Sequence, residues 1–211
     1  MKKIVLLFIL AGGLFSYCTK EYRHPNETNL GDTTAVYNLV EPTATLYEIL
    51  KKDVGIDETR DHFYEKIYLV DSSIVKIEVY DDDNDLYDDP NYFAIKKYSY
   101  DDFGRIKFVK YYNKNNERAE DNFGKYWLIE YLYDSNGRII LELYRDKNFN
   151  LIKAPRTESG KIADKDFIAP ALAYSYEDDN RLLIKAFDEN FNLLKEEYGS
   201  RPCIPFIDCG K

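Results

Sequence analysis

From Tyr68 onward, apolar and polar positions alternate in short runs that are separated by turn residues. One run is Tyr131-Leu-Tyr133, and the run after it, residues 138–144, is rich in Ile and Leu. A period of two in aromatic and branched residues predicts half-buried β-strands. The pattern therefore predicts an all-β protein, an antiparallel meander of consecutive β-hairpins that forms an elongated twisted sheet, with minor helical content.

Two kinds of turn separate the predicted strands. The first is Asp-x-x-Gly, as in Asp134-Ser-Asn-Gly137, where the Asp side chain binds backbone amides and Gly supplies the positive φ of a tight hairpin loop. The second is Asp-x-Asn-Phe-Asn, at residues 146–150 and 188–192, where we expect Asn to serve the backbone of the turn. Each unit is thus predicted to be a β-hairpin, which must pair with neighbouring hairpins to be stable.

The hairpin unit occurs four times. Its aligned acidic residues are Asp71, Asp101, Asp134 and Glu177. The first copy is degenerate, and in the last copy Asn180 replaces the Gly of the turn. The motifs 100–105 (Tyr-Asp-Asp-Phe-Gly-Arg) and 133–138 (Tyr-Asp-Ser-Asn-Gly-Arg) resemble the tyrosine-aspartate (YD) repeats of the RHS family, over roughly residues 65 to 196. The resemblance implies a scaffold of hairpins without catalytic residues. RHS proteins enclose a toxin in a shell of many more repeats, so only the local structure is transferred.

The rest of the chain divides around these repeats, which occupy residues 67–196. Residues 18–34 are polar and aperiodic and predict a flexible tether, and residues 35–66 form an N-terminal region that is a possible degenerate repeat. Within that region, Thr45 to Lys52 fits either a short helix or a strand. Ala154 to Pro170 is a long loop and a plausible interaction site, and residues 197–211 form a C-terminal clip.

The N-terminus has the parts of an export signal over residues 1–17. Lys2 and Lys3 precede an apolar run, Ile4 to Phe15, whose dozen residues fall short of the ~20 that a membrane-spanning helix needs. A buried core helix is the alternative.

The segment Leu14-Phe15-Ser16-Tyr17-Cys18 resembles a lipobox, in the looser form of spirochaetal lipoproteins. The resemblance implies diacylation of Cys18 and a membrane anchor at the cell envelope. Cleavage after Gly13 by the ordinary signal peptidase, without lipid, is the alternative.

The two remaining cysteines lie close together near the C-terminus. Cys203 and Cys209 form an even pair, which in an oxidising compartment predicts a disulfide. Half of a metal site is the alternative, although the two histidines of the chain, His24 and His62, are far away in sequence.

Charge narrows the range of partners. The net charge is −9, and it falls to −11 when the two lysines of the predicted signal are removed. Such a charge opposes binding to nucleic acid or to an anionic lipid surface, both of which require clustered Lys and Arg. The expected partners are therefore a membrane, contacted through the N-terminal lipid, and an unknown protein or glycan.

Motifs for catalysis and cofactor binding are missing from the sequence. It contains no His-Glu-x-x-His, Gly-x-Ser-x-Gly, P-loop, Gly-x-Gly-x-x-Gly or Cys-x-x-Cys, and no cofactor is predicted. Asp81, Asp83 and Asp85 form a candidate Ca²⁺ site, with a solvated turn as the alternative. Trp127 could belong to a sugar-binding platform, with core packing as the alternative. The sequence therefore predicts a non-enzymatic binding or structural module, and an exported hydrolase or carbohydrate-active enzyme using surface carboxylates is the other interpretation.

Overall fold

The computed structural model describes residues 7–10, 13–16, 33–42, 47–87, 93–120, 125–156, 159, 168–177 and 181–199. The chain divides into two compact units, Met1–Leu30 and Gly31–Lys211. In the first unit, strands β1 (Leu7–Leu10) and β2 (Gly13–Ser16) pair antiparallel.

The described residues of the second unit form one antiparallel sheet of eleven strands. The strands are β3 (Thr34–Pro42), β4 (Tyr47–Val54), β5 (Tyr64–Val70), β6 (Ser73–Tyr80), β7 (Ile95–Tyr100), β8 (Ile106–Tyr112), β9 (Leu128–Tyr133), β10 (Ile139–Arg145), β11 (Ala171–Glu177), β12 (Arg181–Phe187) and β13 (Leu193–Gly199). A single 3-10 turn, Ile56–Thr59, is the helical content of the described residues. The predicted all-β meander is confirmed.

The strands lie in chain order from β5 to β13, but the N-terminal hairpin departs from this order. β3 lies between β4 and β5 and pairs with both of them. The chain therefore leaves β4, passes through the 3-10 turn and returns to the far side of β3. Of the two alternatives for Thr45 to Lys52, the described residues adopt the strand, as part of β4, whose pairing with β3 shifts register twice.

Both faces of the sheet bury apolar side chains. One continuous cluster on the first face extends across β6 to β12 and comprises Ile77, Tyr98, Ile106, Val109, Tyr111, Ile129, Tyr131, Ile139, Tyr174 and Leu182. The second face carries two smaller clusters, one of Ala94, Ile95, Phe108, Tyr112, Trp127 and Leu128, the other of Leu141, Leu143 and Ala171. Because burial on both faces removes the need for strict polar alternation, β10 has buried residues at consecutive positions.

A short third arm follows the second turn in each of the first three units. It returns along the strand that it has just left and forms the single bridges Tyr80↔Leu86, Tyr112↔Arg118 and Arg145↔Leu151. Leu86 and Phe149 pack against the Trp127 cluster on the second face. The repeating element is therefore a hairpin with a third arm, which helps to cover the second face of the sheet.

No helix in the described residues has both the length and the apolar composition needed to span a membrane.

Candidate functional site

The recurring acidic residue organises the turn that it begins. In the third unit, Asp134 Oδ1 accepts hydrogen bonds from the backbone N–H groups of Asn136 and Arg138, both at 2.9 Å. Asp134 Oδ2 accepts a hydrogen bond from Arg138 Nε at 2.7 Å, and Gly137 has a φ of 79°. Burial alone would raise the pKa of Asp134, but the hydrogen bonds from Arg138 and Asn136 lower it below its ordinary value. Asp, Gly and Arg of the motif thus form one closed turn.

Among the described residues, five other turns repeat this backbone geometry: the first residue donates its backbone N–H to the carbonyl of the fifth residue, and its own carbonyl accepts the N–H of the fourth residue. The first residues are Asp81, Asp101, Asn113, Asp146 and Asp188. The fourth residue has positive φ in each: Asn84, Gly104, Asn116, Phe149 and Phe191. In the Asp-x-Asn-Phe-Asn turns the left-handed position thus belongs to Phe, whereas Asn150 and Asn192 donate their side-chain and backbone N–H groups to the first Asp.

The side chains of the first and fifth residues are complementary in nearly every one of these turns. Asp101 faces Arg105, and in the second unit the polarity is reversed, because Asn113 Nδ2 donates to Glu117 Oε2 at 3.0 Å. The exception is the turn of Asp81, whose fifth residue is Asp85, a second carboxylate.

The first copy of the hairpin has a different turn. Val70 pairs with Ser73, so the loop contains only Asp71 and Ser72, with φ of 48° and 65°. Positive φ at both loop residues is the geometry of a type I′ hairpin turn.

The tyrosines and arginines of the motif connect one unit to the next. Tyr100, Tyr133 and Tyr176 donate their hydroxyl groups to the carbonyl oxygens of Ile74, Ile106 and Ile139 in the preceding units, at 2.6, 2.6 and 2.9 Å. Arg105 and Arg138 lie over the rings of the Tyr133 and Tyr176 of the following units, each at 4.5 Å. The recurring residues therefore hold consecutive hairpin units together.

Several predicted site residues lie outside the described residues, namely Cys18, His24, Asn180, Cys203 and Cys209. His62 is exposed beside the 3-10 turn.

The acidic turn of the candidate Ca²⁺ site is a hairpin turn of the common type. Asp81 Oδ1 accepts the N–H of Asp85 at 2.9 Å, and Asp83 is exposed at the tip. Across the part of the chain that the structure describes, no group of three or more His, Cys, Asp or Glu residues comes together to hold a metal ion.

Trp127 belongs to the core. Its ring is 2% exposed, and it meets Tyr112 and Phe149 edge to face with centroids at 6.1 and 5.0 Å. A ring so deeply buried provides no surface for stacking a sugar.

The start of the 154–170 segment is fixed to the last unit. Arg156 Nη2 donates to Asp188 Oδ2 at 2.6 Å, and the Ala154 N–H donates to Glu189 Oε2 at 3.2 Å. Residues 157–158 and 160–167 lie outside the described residues.

The register of β6, β7 and β8 brings together three lysines that are scattered in the sequence. Lys76 pairs with Lys97, and Lys97 pairs with Lys110, so the three side chains lie side by side on the second face; we call them the lysine row. All three are half-buried, and Lys76 Nζ lies 3.8 Å from the centroid of the Tyr68 ring. The sequence shows only three separate lysines, and no signal in it reveals their alignment before the register is known.

One buried carboxylate adjoins the lysine row. Glu78 accepts hydrogen bonds from Tyr68, from Tyr80 and from Lys76, the last at 2.8 Å. Burial alone would raise the pKa of Glu78, but these three donors lower it. Lys66 faces Glu78 from β5 and lies 4.8 Å from the centroid of the Tyr68 ring. Lys66 and Lys76 thus both lie beside Glu78 on this part of the sheet.

A second buried polar group joins the N-terminal hairpin to the repeats. Asn38 Nδ2 donates to Glu65 Oε1 at 2.6 Å, and Asn38 Oδ1 accepts the N–H of Asp53 at 2.9 Å. Lys96 is buried on the same face, and burial lowers its pKa to about 7 although Glu65 favours its charged form.

No family model, no curated protein and no solved structure matches this chain.

Proposed function

We propose that this protein is an exported, lipid-anchored protein of the cell envelope that acts without catalysis, as a binding or structural repeat module. Cys18 would carry the lipid, and residues 18–34 would hold the repeat body away from the membrane. The order of charged, apolar and small residues before Cys18 supports export, and the resemblance of residues 14–18 to a lipobox supports the anchor.

The observation that supports a non-catalytic role is that the recurring polar residues already make contacts within the repeats. The Asp, Arg and Tyr of the motif are the residues from which a repeated reactive site would be built. In the third unit Asp134 binds its own turn, Tyr133 binds the Ile106 carbonyl, and Arg138 lies between Asp134 and Tyr176. Their recurrence is explained by the stacking of hairpins. Specific recognition would then rest on residues that differ between units.

Metabolic labelling with a radioactive fatty acid tests the anchor. The wild-type chain and a Cys203→Ala variant are expected to incorporate label, whereas Cys18→Ala is expected to lose it. The Cys203 variant is the matched control, because it removes a cysteine without touching the proposed lipid site. Equal labelling of all three proteins would show that the anchor is not at Cys18. Surface proteolysis of intact cells then determines on which side of the envelope the repeats lie.

A further inference from the structure

The turn that begins at Asp134 contains the one Asn-Gly pair of the sequence. Asn136 and Gly137 take its third and fourth positions, and both are exposed. Three other turns of the same geometry also have an exposed Asn at the third position, namely Asn115, Asn148 and Asn190. In those turns the fourth residue carries a side chain: Asn116, Phe149 and Phe191. Asn136 is therefore the one Asn in this position that precedes Gly.

The chemistry of an Asn-Gly pair is a reaction between the Asn side chain and the backbone of the next residue. The Gly137 nitrogen loses its proton to base and forms a bond to Asn136 Cγ, while the Cγ–Nδ2 bond breaks and ammonia leaves. Water then opens the five-membered succinimide at either of its carbonyl groups, which yields aspartate or isoaspartate. Gly has no Cβ to hinder the approach of the two atoms, whereas any other residue at this position does.

Nothing in the described part of the chain holds the Asn136 amide away from Gly137. The Asn136 side chain has no hydrogen-bond partner there, and the place where a Cβ would stand on Gly137 is open for 4 Å. One contact slows the reaction, because the Gly137 N–H donates to the Asp134 carbonyl at 3.1 Å. The nitrogen therefore reacts when the turn opens, so the hydrogen bonds that Asp134 accepts control the rate.

We propose that Asn136 is a site of spontaneous deamidation, at which the chain converts to aspartate and isoaspartate forms. Conversion weakens the joint between the third and fourth units. It places a new carboxylate two residues from Asp134, and isoaspartate also adds Cβ to the main chain, which moves Arg138 relative to Asp134. Because Arg138 binds Asp134 Oδ2 and lies over the Tyr176 ring, the contact with the following unit is weakened as well.

Peptide mapping of the full chain, after incubation in mildly alkaline buffer, tests the site. Trypsin releases residues 126–138, a peptide in which Asn136 is the one side-chain amide, so a gain of one mass unit assigns the modification to it. We expect the modified fraction to grow about tenfold faster at Asn136 than at Asn148, which has the same turn but precedes Phe149. Labelling with an isoaspartate-specific methyltransferase then separates isoaspartate from aspartate.

Two exchanged substitutions provide the matched controls. Gly137→Asn copies the Asn115-Asn116 pair of the second unit, and Asn116 already holds a φ of 60° in that turn, near the 79° of Gly137. This variant is expected to keep the turn and to slow deamidation of Asn136 by about tenfold. Asn116→Gly creates a second Asn-Gly pair and is expected to bring Asn115 to within about threefold of the rate at Asn136.

Two further measurements test the role of the turn. Asp134→Ala removes hydrogen bonds that close the turn and is expected to speed deamidation by about fivefold. Aged wild-type protein is expected to melt about 2–4 °C below fresh protein, whereas Gly137→Asn should melt at the same temperature before and after ageing. Equal rates at Asn136 and Asn148, or a rate that Gly137→Asn leaves unchanged, would overturn the proposed site. Full deamidation without a change in melting temperature would overturn its effect on the joint.

Discussion

Two tyrosines of one motif are expected to respond in opposite directions to the same substitution. Tyr100 donates its hydroxyl to the Ile74 carbonyl at 2.6 Å, so Tyr100→Phe removes one hydrogen bond between units. Tyr98 lies two residues earlier on β7 and is 5% exposed, and within the described part of the chain its hydroxyl has no hydrogen-bond partner. Tyr98→Phe therefore removes a buried polar group that costs free energy in the native state.

The magnitudes follow from the two environments. Loss of a hydrogen bond of this kind lowers the free energy of unfolding by about 1 kcal/mol, and removal of an unpartnered buried hydroxyl raises it by about 1 kcal/mol. With a urea m-value of about 2 kcal/mol/M, the two midpoints should move by about 0.5 M in opposite directions. Both variants keep the ring, so apolar burial is unchanged and the difference isolates the hydroxyl groups.

Urea titration followed by the fluorescence of Trp127 provides the assay. Tyr133→Phe and Tyr176→Phe serve as replicates of Tyr100→Phe, because their hydroxyls make the equivalent bonds to the Ile106 and Ile139 carbonyls. Equal destabilisation by Tyr98→Phe and Tyr100→Phe would refute the reasoning, since it would show that the Tyr98 hydroxyl is also satisfied in solution.

Three further predictions concern charged residues. Asp85→Arg supplies the carboxylate of Asp81 with the partner found in the turns of Asp101 and Asp134 and should raise the urea midpoint, by about 0.5 kcal/mol in free energy, whereas Asp85→Glu should not. Lys96 has a pKa lowered to about 7, so between pH 7 and 9 the unfolded chain holds a proton that the native protein releases. Native stability should therefore rise across this range by about 1 kcal/mol per pH unit, and Lys96→Met should flatten the rise in urea titrations; identical pH profiles would exclude this titration. Burial raises the pKa of Glu142, so above pH 4.5 the unfolded chain ionises first and stability falls with pH. Glu142→Gln should gain stability relative to wild type between pH 4 and 7 in thermal melts, and a constant difference would contradict the assignment.

Local chemistry made the hairpins predictable. Asp134 followed by Gly137 and Arg138 specifies a turn through contacts within five residues, and the structure contains those contacts. The second turn was predicted in place, but the sequence did not show that Phe149 would take the left-handed position while Asn150 binds Asp146. Phe149 meets the ring of Trp127, which lies at the start of the same hairpin, and this contact is too distant in the sequence for a local rule to contain.

The features that the sequence did not reveal depend on long-range register. The position of β3 between β4 and β5 follows from pairings such as Thr34↔Leu69, which a strict meander does not include. The lysine row depends on register in the same way, since one residue of slippage would move Lys97 to the opposite face. Net charge therefore does not report how a sheet arranges its lysines.

The last strand shows how the repeat array ends. Leu193 pairs with Phe187, as Leu151 forms a bridge with Arg145 in the unit before, but β13 then continues along the whole of β12. Tyr198 thereby takes the place of the tyrosine of a further unit, with Arg181 lying 4.3 Å over its ring.

β13 thus combines the third arm of one unit with the first strand of the next. Its residues Lys195, Glu196 and Glu197 are exposed, and charged side chains on such a strand oppose the addition of another. If β13 were to pair antiparallel with a copy of itself about a two-fold axis through Glu196 or Glu197, that residue would face its own equivalent, and the facing carboxylates would repel. β13 therefore supplies the ring on which Arg181 lies, as the tyrosine of a further repeat would, while its charged side chains oppose the pairing of another strand.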